Sequence, residues 1–78
     1  MIINIKDTLT LDDNNEYVVI SKTNYNDKNH YYLLDQNNPE RPKFCFEDEN
    51  ELVEIDDKEL IAKLIPLFIE ASKEEIDV

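Results

Sequence analysis

The hydrophobic period of this chain changes once, at Asp56, and that change limits the fold more than any other feature. Up to Ile55, apolar and aromatic residues come in short runs with a period of two, the repeat of a strand whose side chains alternate between faces. Beyond it they recur at three and four, the repeat of a helix. Strands first and one helix last leave no crossover helices for a parallel sheet, so each strand must turn back on its predecessor. A length of 78 residues admits one domain. The expected fold class is therefore α+β, a single domain over residues 1–78. It is a small antiparallel β-meander of four to five strands within residues 2–55, packed on one C-terminal helix at about residues 57–73, with a frayed tail at 74–78.

Thr8 to Leu11 alternates polar and apolar residues, and Asp12-Asp13-Asn14-Asn15 separates it from Tyr17-Val18-Val19-Ile20, which reads as a hairpin. If the second strand runs through Tyr25, Tyr17 and Tyr25 share a face. Asn26 to Asn29 then forms a turn before Tyr31-Tyr32-Leu33-Leu34, and Gln36 to Pro42, with two prolines and two asparagines, forms an irregular loop. Lys43 to Glu47 makes a fourth strand with Phe44 and Phe46 on one face and Cys45 on the other. Asp48-Glu49-Asn50 turns it back into Leu52 to Ile55. Ile2, Ile3 and Ile5 either add an edge strand or extend the first one. The chain has no glycine, and asparagine, the next most tolerant residue at positive φ, stands in most of the turns.

Asp56 is placed to cap the helix, with Glu59 three residues on as a capping-box partner. The apolar residues Leu60, Ile61, Leu64, Ile65, Leu67, Phe68, Ile69 and Ala71 spread over an arc of roughly 200°, against a stripe of about 100° that a single sheet covers. Ile61, Ile65 and Ile69 form the outlying edge of that arc. Either the sheet curls round the helix to cover them or a second copy docks there in a homodimer. Pro66 lies on the polar side, where it either bends one helix or ends it at Ile65.

The net charge of −11 is unevenly spread. Residues 47–59 hold eight acids against one lysine, whereas residues 1–46 hold seven acids against five bases. Such a field repels phosphate backbones and anionic lipid, which argues against direct nucleic-acid or membrane binding and favours a basic protein partner. Asp57 and its neighbours have a structural use at the helix N-terminus. Glu47, Asp48, Glu49, Glu51 and Glu54 either solubilise a hairpin or occupy a partner's basic groove in place of phosphates. The outward ring of the Tyr31-Tyr32 pair, assigned to Tyr31, is the aromatic contact candidate.

Chemistry at a catalytic site finds little support. His30 and Cys45 are the only histidine and cysteine, and a strand cysteine among phenylalanines and acids lacks the cation that would activate it. Asp12, Asn14 and Glu16 have the alternate spacing of a calcium loop, but Tyr17 stands where that loop needs glycine and Thr23 where it needs glutamate. No catalytic, cofactor or metal residues are assigned. Met1 to Asp7 lacks the pattern of a signal peptide and no apolar run approaches the roughly 18 residues of a membrane span, so a cytoplasmic protein is expected.

Asn15 to Ile20, Asn29 to Leu34, Phe44 to Phe46 and Glu51 to Ile55 together resemble the YrzB-like family of small acidic bacterial proteins, which implies a β-meander followed by an acidic helix and carries over no functional residue; this chain departs from it in lacking glycines in the hairpin turns and in its strongly apolar helix. In size and charge alone the chain is also similar to phage-encoded inhibitors such as anti-CRISPR proteins. The reading reached is a non-enzymatic acidic module that binds another protein, as an inhibitor or regulator with a phosphate-mimicking carboxylate surface. The alternative is a structural or assembly module acting through homo-oligomerisation.

Overall fold

The computed structural model describes residues 2–76, with side chains described through Lys73. Five strands follow one another, β1 (Thr8–Thr10), β2 (Glu16–Tyr25), β3 (Lys28–Asp35), β4 (Pro42–Asp48) and β5 (Glu51–Glu54), and one helix, α1 (Lys58–Ile76), closes the chain. Each strand pairs antiparallel with its sequence neighbour, so the sheet order is the chain order and the fold is the expected α+β meander. The two tightest turns, Asn26–Asp27 and Glu49–Asn50, join pairs Tyr25–Lys28 and Asp48–Glu51. Both central residues of each have positive φ, 52° and 63° in one and 50° and 67° in the other, the type I′ geometry that matches strand twist. All four are non-glycine residues.

The sheet buries both faces. On one, Tyr17, Val19, Tyr31, Leu33 and Cys45 form a core with Ile3, and Leu9, Leu11 and Leu52 pack against it. Contributions from β1 and β5 to the same cluster show that the sheet curls towards this side. On the other face Tyr25, Tyr32, Phe44, Phe46 and Ile55 meet Leu64 and Phe68 of α1. Two cores on opposite faces explain the continuous apolar runs of β2 and β3, because residues of both parities are covered.

A register shift between Val19 and Ser21 reverses the parity of β2 half-way along. Tyr17 faces the curled core while Tyr25 faces the helix side, so the expectation that they share a face is corrected. The same shift places Ser21 under α1, fully buried, where its Oγ donates to the Phe68 carbonyl at 2.8 Å. A side chain this small lets the helix backbone come close to the strand.

The N-terminal segment is neither an edge strand nor an extension of β1. Its turn at Ile5–Lys6, with Lys6 at φ 81°, folds Ile3 into the curled core, and Lys22 Nζ donates to the Ile3 carbonyl at 3.1 Å. Asp57, not Asp56, caps α1, accepting the Glu59 and Leu60 amides at 3.0 and 3.4 Å. Pro66 lies inside one continuous helix and is exposed. The tail expected at 74–78 is helical to Ile76, and residues 77–78 lie outside the described residues. Among the described residues no helix is long and apolar enough to cross a membrane.

Candidate functional site

The β4–β5 hairpin places the acidic block, and local pairing sorts its members. Glu47 lies on the curled face and accepts the Tyr31 hydroxyl at 2.9 Å, while Asp48 lies on the helix face and accepts Lys28 Nζ at 3.0 Å. Lys28 also sits over the Phe46 ring, 5.2 Å from its centre. Glu54 is 3.5 Å from Lys43, and Asp57 is occupied by the helix cap. Four expected contact residues thus have partners within the fold. Glu49 and Glu51 are exposed, and among the described residues no hydrogen bond or ion pair engages their carboxylates.

Tyr31 is fully buried. Its assignment as an outward contact ring is corrected: adjacent strand residues do face opposite sides, but here both sides are covered, Tyr31 by the curled core and Tyr32 by α1. Burial and then the Glu47 carboxylate push the Tyr31 hydroxyl up to about 12, so it remains a hydrogen-bond donor.

Curling brings the two edge strands to one opening. A cleft of about 600 Å³ lies between them, lined by Thr10, Leu11, Asp12 and Asp13 from the β1 side and by Asn50, Glu51, Leu52 and Glu54 from the β5 side, with Lys43 and Cys45 of β4 between. Four acidic residues and one lysine are among these; Glu54 shares the face of Cys45 and Leu52, whereas Glu51, paired with Asp48, borders the cleft at the strand edge with its side chain on the helix face. Asp13 is the organising residue: it accepts the Tyr17 hydroxyl at 2.6 Å, the Asn15 amide at 3.0 Å and Lys43 Nζ at 3.2 Å. The Tyr17 bond first, and then the Asn15 amide, hold its carboxyl down at about 2. Burial works to lower the Lys43 pKa and is outweighed by Tyr17, Asp13 and Glu54, which hold that ammonium above its usual value.

The sequence alone did not pair Asp12 and Asp13 with the acidic block. They read as turn residues some 40 positions away, and only the curl of five strands makes them neighbours of Glu51 and Glu54.

The histidine and the cysteine do not come together. His30 faces the helix side, stacked on Phe46 with its Nδ1 2.9 Å from the Lys28 carbonyl, while Cys45 faces the curled core. Opposite sheet faces separate the two side chains. Burial, then the nearby Glu54 charge, push the Cys45 thiol up to about 11, which leaves it a poor nucleophile at neutral pH. Among the described residues no three His, Cys, Asp or Glu side chains are grouped to hold a metal ion.

On α1, Ile61 packs against the helix-side core, whereas Ile65 and Ile69 are 43% and 51% exposed. They flank an apolar groove of about 240 Å³ with Tyr32, Phe68, Ser72 and Lys73. The sheet curls away from the helix, so it covers only the stripe centred on Leu64 and Phe68; Ile61 therefore leaves the set available for self-association.

Comparison with protein-family models, with curated proteins and with solved structures gives no match for this chain.

Proposed function

We propose that this protein is a non-enzymatic, cytoplasmic binding module that engages a basic surface of another protein through its acidic edge. The convergence of Asp12, Asp13, Glu51 and Glu54 round one open cleft carries the reading. Acidic residues from both ends of the sheet meet there and outnumber Lys43, the one base in the lining, and a cleft with a net negative lining focuses its field on an incoming cation. Glu49 and exposed Asp12 extend the acidic rim. A surface of this kind suits an inhibitor or regulator of a nucleic-acid-handling protein, with carboxylates taking the place of phosphates.

The test compares capture from source-cell extract by the wild type and by a triple variant, Asp12→Asn, Glu49→Gln and Glu51→Gln, at low and high salt. A captured basic protein is then assayed for nucleic-acid binding. Salt-sensitive capture, lost in the triple variant and competitive with nucleic acid, is the expected result. Equal capture by the two forms removes the acidic edge as the contact.

Self-association has its own observation. Residues 60–73 carry two lysines and one glutamate, so the groove beside Ile65 and Ile69 sits on a stretch that is not acidic. A second copy meets less repulsion there than at the acidic edge. Sedimentation equilibrium should show a concentration-dependent dimer that Ile65→Glu abolishes; a wild-type monomer at high concentration ends this reading.

A further inference from the structure

Two sheet edges face the acidic cleft, and among the described residues no further strand pairs with either. The Ile55 amide donates to the Phe44 carbonyl at 2.8 Å, and the register continues through Phe46–Val53 and Asp48–Glu51. Antiparallel alternation therefore aims the backbone groups of Glu51 and Val53 at β4 and those of Leu52 and Glu54 at the free edge. On β1, the Val19 amide donates to the Asp7 carbonyl and the Leu11 amide to the Asn15 carbonyl. Asp7, Leu9 and Leu11 thus turn towards β2, which leaves Thr8 and Thr10 outward. Because every strand reverses its predecessor, β1 and β5 run in the same direction. One incoming strand antiparallel to both can bond to both.

The cleft has the size for it. With about 3.4 Å of rise per residue, about 4.8 Å between strands and about 10 Å of thickness, a strand residue fills roughly 160 Å³. A volume of about 600 Å³ then holds close to the length of β5, which has four residues. Its floor offers Leu11, Leu52 and Cys45, and its rim offers Asp12, Asp13, Glu51 and Glu54. Lys43 bridges Asp13 and Glu54 at 3.2 and 3.5 Å, and the acids left in excess of that one cation repel a second acidic copy, a common protection of exposed edges. They attract a strand with basic side chains.

We propose that a short extended segment of a basic partner protein enters this cleft as a sixth strand between β5 and β1, closing the curled sheet. This rests on the acidic edge being the contact surface and adds the mode of binding: main-chain bonds supply affinity, apolar side chains meet the floor and basic ones the rim.

The probe is a nine-residue peptide alternating lysine and valine, with two controls N-methylated at every second amide in opposite phases, so that charge and side chains stay the same. Glu54→Gln and Glu54→Pro are compared as proteins; both remove one charge, but only proline removes the edge amide, and that amide bonds to nothing in β4. At least ten-fold weaker binding is expected for a methylated peptide, with a few-fold loss for Glu54→Gln and a further ten-fold loss for Glu54→Pro. Hydrogen exchange at the amides of Leu52 and Thr10 should slow in the complex. If methylated and parent peptides bind alike, strand insertion is overturned while the charge reading stands. If no peptide shows salt-sensitive binding, the charge reading itself falls. Should Glu54→Pro lack a cooperative thermal transition, the methylated peptides decide the question alone.

Discussion

At the scale of single residues, the Asp13 cluster joins the turn before β2 to β4. Tyr17, Asn15 and Lys43 all donate to one carboxylate, so its folded pKa of about 2 lies below the value of about 3.9 for an unfolded aspartate. A depressed acid pKa gives stability that is complete above about pH 4 and lost as pH falls through about 2. Urea midpoints of wild type and Asp13→Asn should therefore differ at pH 7 and converge between pH 4 and 2. A constant difference over that range would show that Asp13 acts through shape alone. Tyr17→Phe removes the largest cause of the shift, and NMR titration should find the Asp13 pKa raised. Cys45 supplies a separate check: buried and with its pKa near 11, it should react with a thiol reagent at pH 8 far more slowly in the native protein than in urea.

At the scale of elements, turns and helix show what a glycine-free chain gives up. Asp27 holds φ 63° in a two-residue turn where Asn-Gly is the preferred pair. Asp27→Gly should stabilise the domain by about 0.5 kcal/mol, since relief of a left-handed conformation exceeds the added freedom of the unfolded chain. Pro66 leaves the Ala62 carbonyl without its usual helical donor in an exposed part of α1, so Pro66→Ala should add about 1–3 kcal/mol in urea unfolding. No gain would mean that the helix packs better on the sheet with proline at this position than with alanine. The strands and turns were legible because period-two runs end in asparagine and aspartate clusters. The register shift beside Ile20 was not. In Val18-Val19-Ile20-Ser21 every residue suits a strand, and only the pairing with β3 shows where parity reverses. Hence Tyr25 was assigned to the wrong face, and the burial of Tyr31 was missed because a second core on the curled face depends on Ile3, Leu9 and Leu52 arriving from remote positions. Asp57 caps in place of Asp56 because α1 starts at Lys58, and two adjacent aspartates leave that one-residue choice open in the sequence.

At the scale of the whole molecule, charge opposes the fold that carries it. A net −11 on 78 residues repels itself, and the cleft adds to that repulsion because Asp12 and Asp13 line one side of it and Glu51 and Glu54 the other, with Lys43 offsetting only part of the charge. Salt screens such exposed charges over about 30 Å at 0.01 M and about 10 Å at 0.1 M, so the melting temperature should rise as salt is added. The location of the strain can be read by neutralising two charges at a time. Asp12→Asn with Glu51→Gln removes one acid from each rim, whereas Glu40→Gln with Glu70→Gln makes the same change in net charge at exposed positions that do not line the cleft. At 0.01 M salt the rim pair should raise the melting temperature more than the remote pair and should flatten its salt dependence more. Equal effects would show that repulsion is spread over the surface and that the rims hold no special tension. A larger effect at the rims means that the open edge is kept under electrostatic strain in the unbound protein. A basic strand entering between β5 and β1 would relieve that strain, so the same charges that cost stability in isolation would strengthen the complex.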